Sequence, residues 1–425
     1  MPDDLQHVIA AAWRAESARL VGALTRMTRD VELAEDLAQD ALVAALEQWP
    51  ATGVPDNPGA WLMTTAKRRG IDHFRRADTY RRKLAEIEHA REGEEVQVPD
   101  LDAQVDHIED DVLRLVFLSC HPSLTPDSRA ALTLRLVGGL TTAEIARGFL
   151  TTEATMGTRI SRAKRTLAEA HAGFDLPTGE ERTKRLGDVM AVIYLVFNEG
   201  YTATAGDDWM RPDLADEATR LARMLAALTP DEPEVLGLQA LLELQGSRTA
   251  ARLDADGVPV LLEAQDRTLW DQLRIRRGLS VLARAEEIAA RGTPVGTYFL
   301  QASIAAVHAR AAQAGDTDWR RIAVLYDVLA RAAPGPVVEV NRAVAHGRAY
   351  GADVGLEVLG EQAILPGPVW HSVRGDLLER AGRHAEASRA FDEAATLTRN
   401  EGERTVLRRR ADENRTRVGS ADPRS

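Results

Sequence analysis

Residues 141–167 read TTAEIARGFLTTEATMGTRISRAKRTL. Thr141 and Glu144 have the spacing of a capping box, the reciprocal side-chain cap that opens a helix. Ile145 and Ala146 give that helix an apolar face, and Gly148 suits the turn after it. A second helix is predicted to begin near Thr151 or Thr152. Its residues Met156, Ile160, Ala163 and Leu167 recur at the intervals of a buried helical stripe, and Thr155, Arg159, Arg162 and Arg165 fall on the opposite face. This is the layout of a helix-turn-helix whose second helix reads a duplex.

Upstream, residues 30–49 read DVELAEDLAQDALVAALEQW. Leu33, Leu37 and Ala41 make an inward stripe, while Glu32, Asp36 and Asp40 share the same spacing on another face. Like charges four apart cost a helix a few tenths of a kcal/mol each, roughly, so an acidic stripe is read either as a surface for a basic partner or as plain solubility. A loop rich in Pro and Gly, residues 50–60, separates this helix from one predicted to start at Trp61 and Leu62 and to run through Arg76. Lys67, Ile71 and Arg75 lie on one line of it; Arg68, Asp72 and Arg76 lie on another, so that Asp72 is placed to brace both arginines. Trp49 and Trp61 flank the loop, suited either to core packing or to stacking an unpaired base.

The net charge of the 425-residue chain is −12, with 53 Lys and Arg against 65 Asp and Glu. Taken alone this argues against nucleic acid, but the charge is segregated. Residues 61–83 carry 8 basic and 2 acidic groups, whereas residues 84–111 carry 1 basic and 11 acidic. Screening beyond roughly 8 Å at physiological salt means that a polyanion meets the local field, not the total. Residues 61–83 are therefore a candidate phosphate-binding helix.

The stretches AEDLAQDALVAALEQW and NPGAWLMTTAKRRGIDHFRR resemble the second region of bacterial RNA polymerase sigma factors of the extracytoplasmic-function type. Ile145 and Ala146 after Glu144, then the run Gly157, Thr158, Arg162, Ala163 and Leu167, resemble the fourth region of the same family. The resemblance implies that Glu35, Asp36, Gln39 and Asp40 dock on the β′ subunit of core RNA polymerase. It implies that Asp56, Asn57 and Trp61 in and after the loop, with Lys67, Arg68, Arg75 and Arg76 on the helix, melt and read the minus-ten promoter element. It also implies that Glu153, Ala154, Thr155, Thr158 and Arg159 contact minus-35 bases, that Arg162, Lys164 and Arg165 contact phosphates, and that Thr142 and Arg147 touch the backbone from the supporting helix. In the family the linker between the two regions, here the acidic residues 84–111, threads the nucleic-acid channel of the polymerase, where a polyanion would be displaced by nascent RNA; an ordinary solvated linker has the same composition.

Beyond a boundary at residues 173–181 the helical period continues. Residues 369–397, VWHSVRGDLLERAGRHAEASRAFDEAATL, resemble one tetratricopeptide repeat, with Gly375, Ala387, Phe391 and Ala394 at the packing positions and Gly382 at the turn. Residues 338–359 look like a weaker copy, and residues 236–253 are a further candidate. Such arrays usually bind protein or peptide on a concave face. His308, His346, His371 and His384 are scattered, and no HExxH, P-loop or GxSxG occurs. Asp266, Arg267, Trp270 and Asp271 are read as helix caps and ion pairs rather than a ligand pocket. The one cysteine, Cys120, excludes an intramolecular disulfide and a thiolate zinc site, and is expected to be a packed thiol.

The expectation is therefore an all-α chain: a second sigma region at 1–83, the acidic linker 84–111, a fourth-region helix-turn-helix at 112–172, a helical tetratricopeptide-like extension at 181–417 and a disordered tail at 418–425. It is expected to be cytoplasmic, to bind core RNA polymerase (β′ and β) and promoter DNA, to offer its C-terminal helices to a protein or peptide, and to use no membrane, metal, cofactor or bond chemistry. A subgroup of the family carries such an extension as a regulator. The alternative is a stand-alone helix-turn-helix regulator with a helical sensor domain, which would bind duplex DNA without polymerase.

Overall fold

The computed structural model describes residues 2–88, 108–149, 151–201, 212–254, 260–398 and 401–420. Among them are 18 α-helices and no strand, so the all-α expectation holds. The acidic stretch 89–107 lies outside the described residues. The chain divides into two compact units, Met1–Leu228 and Thr229–Ser425.

The first unit opens with α1 (Pro2–Thr28), α2 (Val31–Thr52) and α3 (Pro58–Glu88). Asp30 starts α2 by accepting from the Glu32 and Leu33 amides, two of the donors that a helix start leaves unpaired. Gly53, at φ +82°, ends it. The loop is thus shorter than residues 50–60, and α3 starts at Pro58 and runs past Arg76. Leu37, Ala41 and Trp49 face inward from α2, and Leu62 and Ala66 from α3. Buried Gly70 lets α3 close on its neighbours: a side-chain carbon there would lie 2.8 Å from the Met27 methyl.

Four more helices follow: α4 (Ile108–Ser119), α5 (Pro126–Leu136), α6 (Thr142–Gly148) and α7 (Glu153–Glu169). Thr141 and Glu144 form the reciprocal capping box before α6, and Thr152 caps α7 by accepting from the Thr155 amide. Met156, Ile160, Ala163 and Leu167 are all buried. Burying each large one of these is worth about 1.5–3 kcal/mol, which is why this face fixes how α7 sits on its neighbours. Cys120 is buried beside Thr133, and burial pushes its thiol up to about 11.

The unit does not end near residue 172. Helices α8 (Gly179–Tyr201) and α9 (Pro212–Leu228) belong to it, so the expected extension contributes its first two helices to the N-terminal body. Arg185 of α8 donates to the Phe117 carbonyl at 2.6 Å and lies over the Phe117 ring; Asp188 pairs with Arg129. Arg220 of α9 donates to the Val137 and Gly138 carbonyls. Gly148 proves to be the buried last residue of α6, where a side-chain carbon would lie 3.3 Å from Leu214 of α9.

The second unit comprises α10 (Pro233–Gly246), α11 (Gln272–Ala290), α12 (Thr297–Arg310), α13 (Trp319–Ala332), α14 (Pro336–Tyr350), α15 (Ala352–Leu359), α16 (Pro368–Arg380), α17 (His384–Leu397) and α18 (Glu401–Ser420). Helix α10 is buried nearly all round and packs on both α11 and α12. The stretch 369–397 is a helix pair, α16–α17, turning at Gly382 (φ +74°), with Gly375 against the Phe391 ring. The stretch 338–359 is the pair α14–α15. The stretch 236–253 is not a pair: α10 is followed only by the short 3₁₀ turn Thr249–Ala251. Helix α18 reaches Ser420, so residues 418–420 are helical rather than part of a tail.

Candidate nucleic-acid interface

Helix α2 sorts its carboxylates by depth. Asp36 and Asp40 are exposed, together with Glu32, and Gln39 is half-buried. Asp40 lies 3.2 Å from Arg69 of α3. Partial burial raises the Asp36 carboxyl, and Glu35, Glu32 and Asp40 add to the rise while Lys164 opposes it. The next turns of the helix expose Val43 and Leu46. Glu35 departs from the expected docking surface. It is 4% exposed and points into the unit, with Oε1 2.5 Å from the Arg135 guanidinium and Oε2 2.5 Å from the Lys164 ammonium.

Helix α3 exposes Arg68, Arg75 and Arg76, with Lys67 half-buried at the edge of the same face. No hydrogen bond joins Asp72 to either Arg68 or Arg76 among the described residues, so the expected brace is not formed. Asp56 and Asn57 are exposed in the loop, and the Asn57 carboxamide oxygen accepts from the Ala60 amide at 3.0 Å, which caps α3. Trp49 is core. Trp61 is half-buried and packs edge-on against it, ring centroids 5.4 Å apart. The two readings of these tryptophans thus divide: Trp49 packs, and Trp61 keeps part of its ring at the surface beside the loop.

On α7, Glu153, Ala154, Thr155, Thr158, Arg162 and Arg165 are exposed on one polar face. The Thr158 hydroxyl donates back to the Ala154 carbonyl. Arg159 is half-buried, 3.6 Å from Asp127. Thr142 is half-buried and Arg147 exposed on α6. Lys164 does not share the polar face: its side chain is 13% exposed and is spent on Glu35.

Glu35 and Lys164 meet because the two halves of the first unit pack on each other. The Trp13 indole of α1 donates to the Gly139 carbonyl at 3.1 Å. Gly139 adopts φ +70°, and a side-chain carbon there would lie 2.4 Å from the Ser17 hydroxyl, so glycine is required twice over. Arg14 pairs with Glu144 at 2.7 Å. Asp111, which the charge count placed in the linker, is fully buried and lies 3.1 Å from Arg26 and 3.4 Å from Arg114. Arg135 also donates to the Leu140 carbonyl. None of Trp13, Arg26, Asp111 and Arg135 carries a local signal of this role, because Gly139, Asp111, Arg26 and Glu35, the partners that join the two halves, lie 85 or more residues away in the chain; the one hint is a Trp and charged groups at core positions of their own helical stripes.

The remaining polar groups singled out in the sequence are structural. Asp266 accepts from the Thr268 amide, Asp271 caps α11, and Arg267 lies 4.7 Å from the Trp270 ring centroid while donating to the His308 and Ala311 carbonyls. Among the described residues no helix is long and apolar enough to cross a membrane.

Residues 12–80 match the family described as Sigma-70 region 2, and residues 114–167 match Sigma-70, region 4. Residues 185–286 match a family of unknown function, DUF6596. An uncharacterized protein of Rhizobium meliloti is 44% identical over 92% of each chain. The ECF RNA polymerase sigma factor SigK of a Mycobacterium species (strain KMS) is 30% identical over 159 residues, 36% of this chain and 76% of that protein. A probable ECF RNA polymerase sigma factor, SigI, of Mycobacterium tuberculosis is 29% identical over 41% of this chain and 59% of its own length. No solved structure matches the chain.

Proposed function

The chain belongs to the ECF RNA polymerase sigma factor family, and from that premise we propose that it binds the β′ and β subunits of core RNA polymerase in the cytoplasm and directs initiation at its own set of promoters. The observation that carries this reading is the order of three surfaces along the first unit: the acidic edge of α2, the basic edge of α3 and the polar face of α7. In this reading Asp36, Gln39 and Asp40 dock on the polymerase, with Val43 and Leu46 extending the same surface. Arg68, Arg75 and Arg76, helped by Lys67, hold the backbone of the minus-ten strand while a base leaves the stack. Unstacking costs a few kcal/mol, roughly, and a pocket for the flipped base beside Trp61 would offset it. Neutralising about four single-strand phosphates gives a salt slope near −3. On α7, Glu153, Thr155, Thr158 and Arg159 read minus-35 bases, and Arg162 and Arg165 hold the duplex backbone.

Regulation by the C-terminal helices is part of the same proposal. The pairs α14–α15 and α16–α17 supply the tetratricopeptide-like element, supported by the close fit of Gly375 on Phe391. The test is transcription in vitro by the full chain with core polymerase, on templates chosen by mapping transcripts after its induced expression. Promoter-specific transcripts support the reading. Their absence, with no co-purification of β′, refutes it. A gel shift with duplex DNA alone distinguishes a stand-alone regulator, which would bind without polymerase.

A further inference from the structure

We propose that the row of arginines across α14, α16 and α18 is a docking site for an acidic segment of a partner protein, and that Glu263 holds this site in the free chain as an internal occupant. The site lies wholly within the second unit and does not depend on the sigma reading.

The row is an alternating chain of charge. Glu263 bridges Arg348 of α14 and Arg380 of α16, one carboxylate oxygen to each, the second at 3.1 Å. Asp376 bridges Arg380 and Arg410 of α18, both at 2.8 Å. Glu379 bridges Arg410 at 2.5 Å and Arg417 at 2.9 Å. Four cations thus share three anions. Asp376 and Glu379 are fixed on α16, whereas Glu263 belongs to no helix. It arrives on a turn closed by the Ala264 amide on the Leu261 carbonyl, 117 residues before Arg380 in the chain.

Glu263 is the replaceable member. Its side chain is 38% exposed, against 23% for Asp376 and 14% for Glu379. An ion pair so open to water holds weakly, because solvent screens the attraction and two side chains lose freedom. The strap that carries Glu263 is tied down elsewhere. The Val260 amide donates to the Arg252 carbonyl at 2.8 Å, and Arg267 donates to the His308 and Ala311 carbonyls. Neither tie involves the Glu263 carboxylate, so it can swing away with both intact.

Its departure uncovers a cation short of counter-charge. Arg348 rests on the Trp319 ring at 5.3 Å, and its Nε is buried without a hydrogen-bond partner. Burial, with Arg380 and Arg410 nearby and against the pull of Asp376, lowers its guanidinium to about 10. A carboxylate in place of that of Glu263 restores a charge-assisted hydrogen bond of the same kind. Arg380 and Arg417 are the most exposed arginines of the row. A segment with several carboxylates therefore meets the row at more than one point, whereas a single free anion meets it at one. This spread favours a protein segment.

The test is fluorescence anisotropy of the full chain with fluorescein-labelled hexaglutamate as probe. A tethered carboxylate competes at an effective concentration on the order of mM, so Glu263→Gln is expected to bind the probe about tenfold more tightly than the unaltered chain. Adding Arg348→Met, or Arg380→Gln, to that variant is expected to reverse the gain. Glu386→Gln removes another exposed carboxylate, the partner of Arg383, and is expected to leave the affinity unchanged. No gain from Glu263→Gln, an equal gain from Glu386→Gln, or a gain that survives both arginine changes would overturn the proposal. A gain of the same size for labelled hexathymidylate, or release of the probe by an equal concentration of inorganic phosphate, would mark a general anion site and overturn the assignment to a protein segment. These assays contain neither polymerase nor promoter, so the sigma reading stands or falls separately.

Discussion

The carboxylate of Glu35 bridges Arg135 and Lys164, each at 2.5 Å, across at least 100 residues of chain. Two cations around one buried anion gain little net stability, because desolvation offsets attraction, yet the arrangement is costly to break from one side, because removing the anion leaves like charges facing each other in a partly dry seam. Glu35→Gln is expected to destabilise the first unit by about 2 kcal/mol, read as a lower urea midpoint. Lys164→Met, which leaves the Arg135 pair in place, is expected to cost less. An equal loss for the two would show that Arg135 does not hold Glu35 by itself.

Asp36 and Asp40 are exposed on α2, where charge reversal disturbs no core. Asp36→Arg with Asp40→Arg is expected to weaken binding to core polymerase at least tenfold, about 1.4 kcal/mol, with the helical circular-dichroism signal intact. Unchanged affinity would remove the docking role from this face.

Arg159 and Arg165 share a helix but not a setting: Arg159 is half-buried beside Asp127, while Arg165 is exposed. Arg159→Ala is expected to change which promoters are used. Arg165→Ala is expected to weaken all of them alike and to lower the duplex salt slope by about 0.9. Promoter-by-promoter transcript yields at two salt concentrations separate the two outcomes.

Gly375 faces the Phe391 ring so closely that a side-chain carbon would lie 2.7 Å from it, and Arg410 covers that ring at 4.3 Å. The ring has no room to retreat. Gly375→Ala is expected to cost roughly 1–3 kcal/mol by overpacking, seen as an earlier melting transition with unchanged helix content at low temperature.

His308 is buried beside Trp319, and burial, with Arg248 and Arg267 nearby, pushes its imidazole from 6.5 down to about 4. A group protonated more readily in the unfolded chain favours unfolding as pH falls. Its neutral form is accommodated in full above pH 6.5, and up to about 3 kcal/mol is lost between pH 6.5 and 4. His308→Gln is expected to abolish that part of the acid sensitivity. Stability difference curves for the two chains from pH 7.5 to 4 check it, and parallel curves would refute it.

Local chemistry decided much of this molecule. The capping box at Thr141 and Glu144, the cap at Thr152, the buried stripe Met156, Ile160, Ala163 and Leu167, and the polar opposite face all follow from residues within four positions of one another. So does the glycine–aromatic match of Gly375 and Phe391, once a helix pair is assumed. Helical period tells which face is polar, and the exposed Asp36, Arg68 and Arg162 were legible in that way. It does not tell whether a polar face meets water or another polar face. Glu35 has the same kind of sequence setting as Asp36, yet it is buried because Arg135 and Lys164 arrive from α5 and α7. Asp111 looked like one more charge of an acidic linker and is a core counter-ion for Arg26. Gly148 looked like a turn residue and is the seat for Leu214. Each of these depends on a partner more than 60 residues away, and only the tertiary packing of α2 on α5 and α7, of α1 on α4 and of α6 on α9 brings such partners within reach of a hydrogen bond or a van der Waals contact.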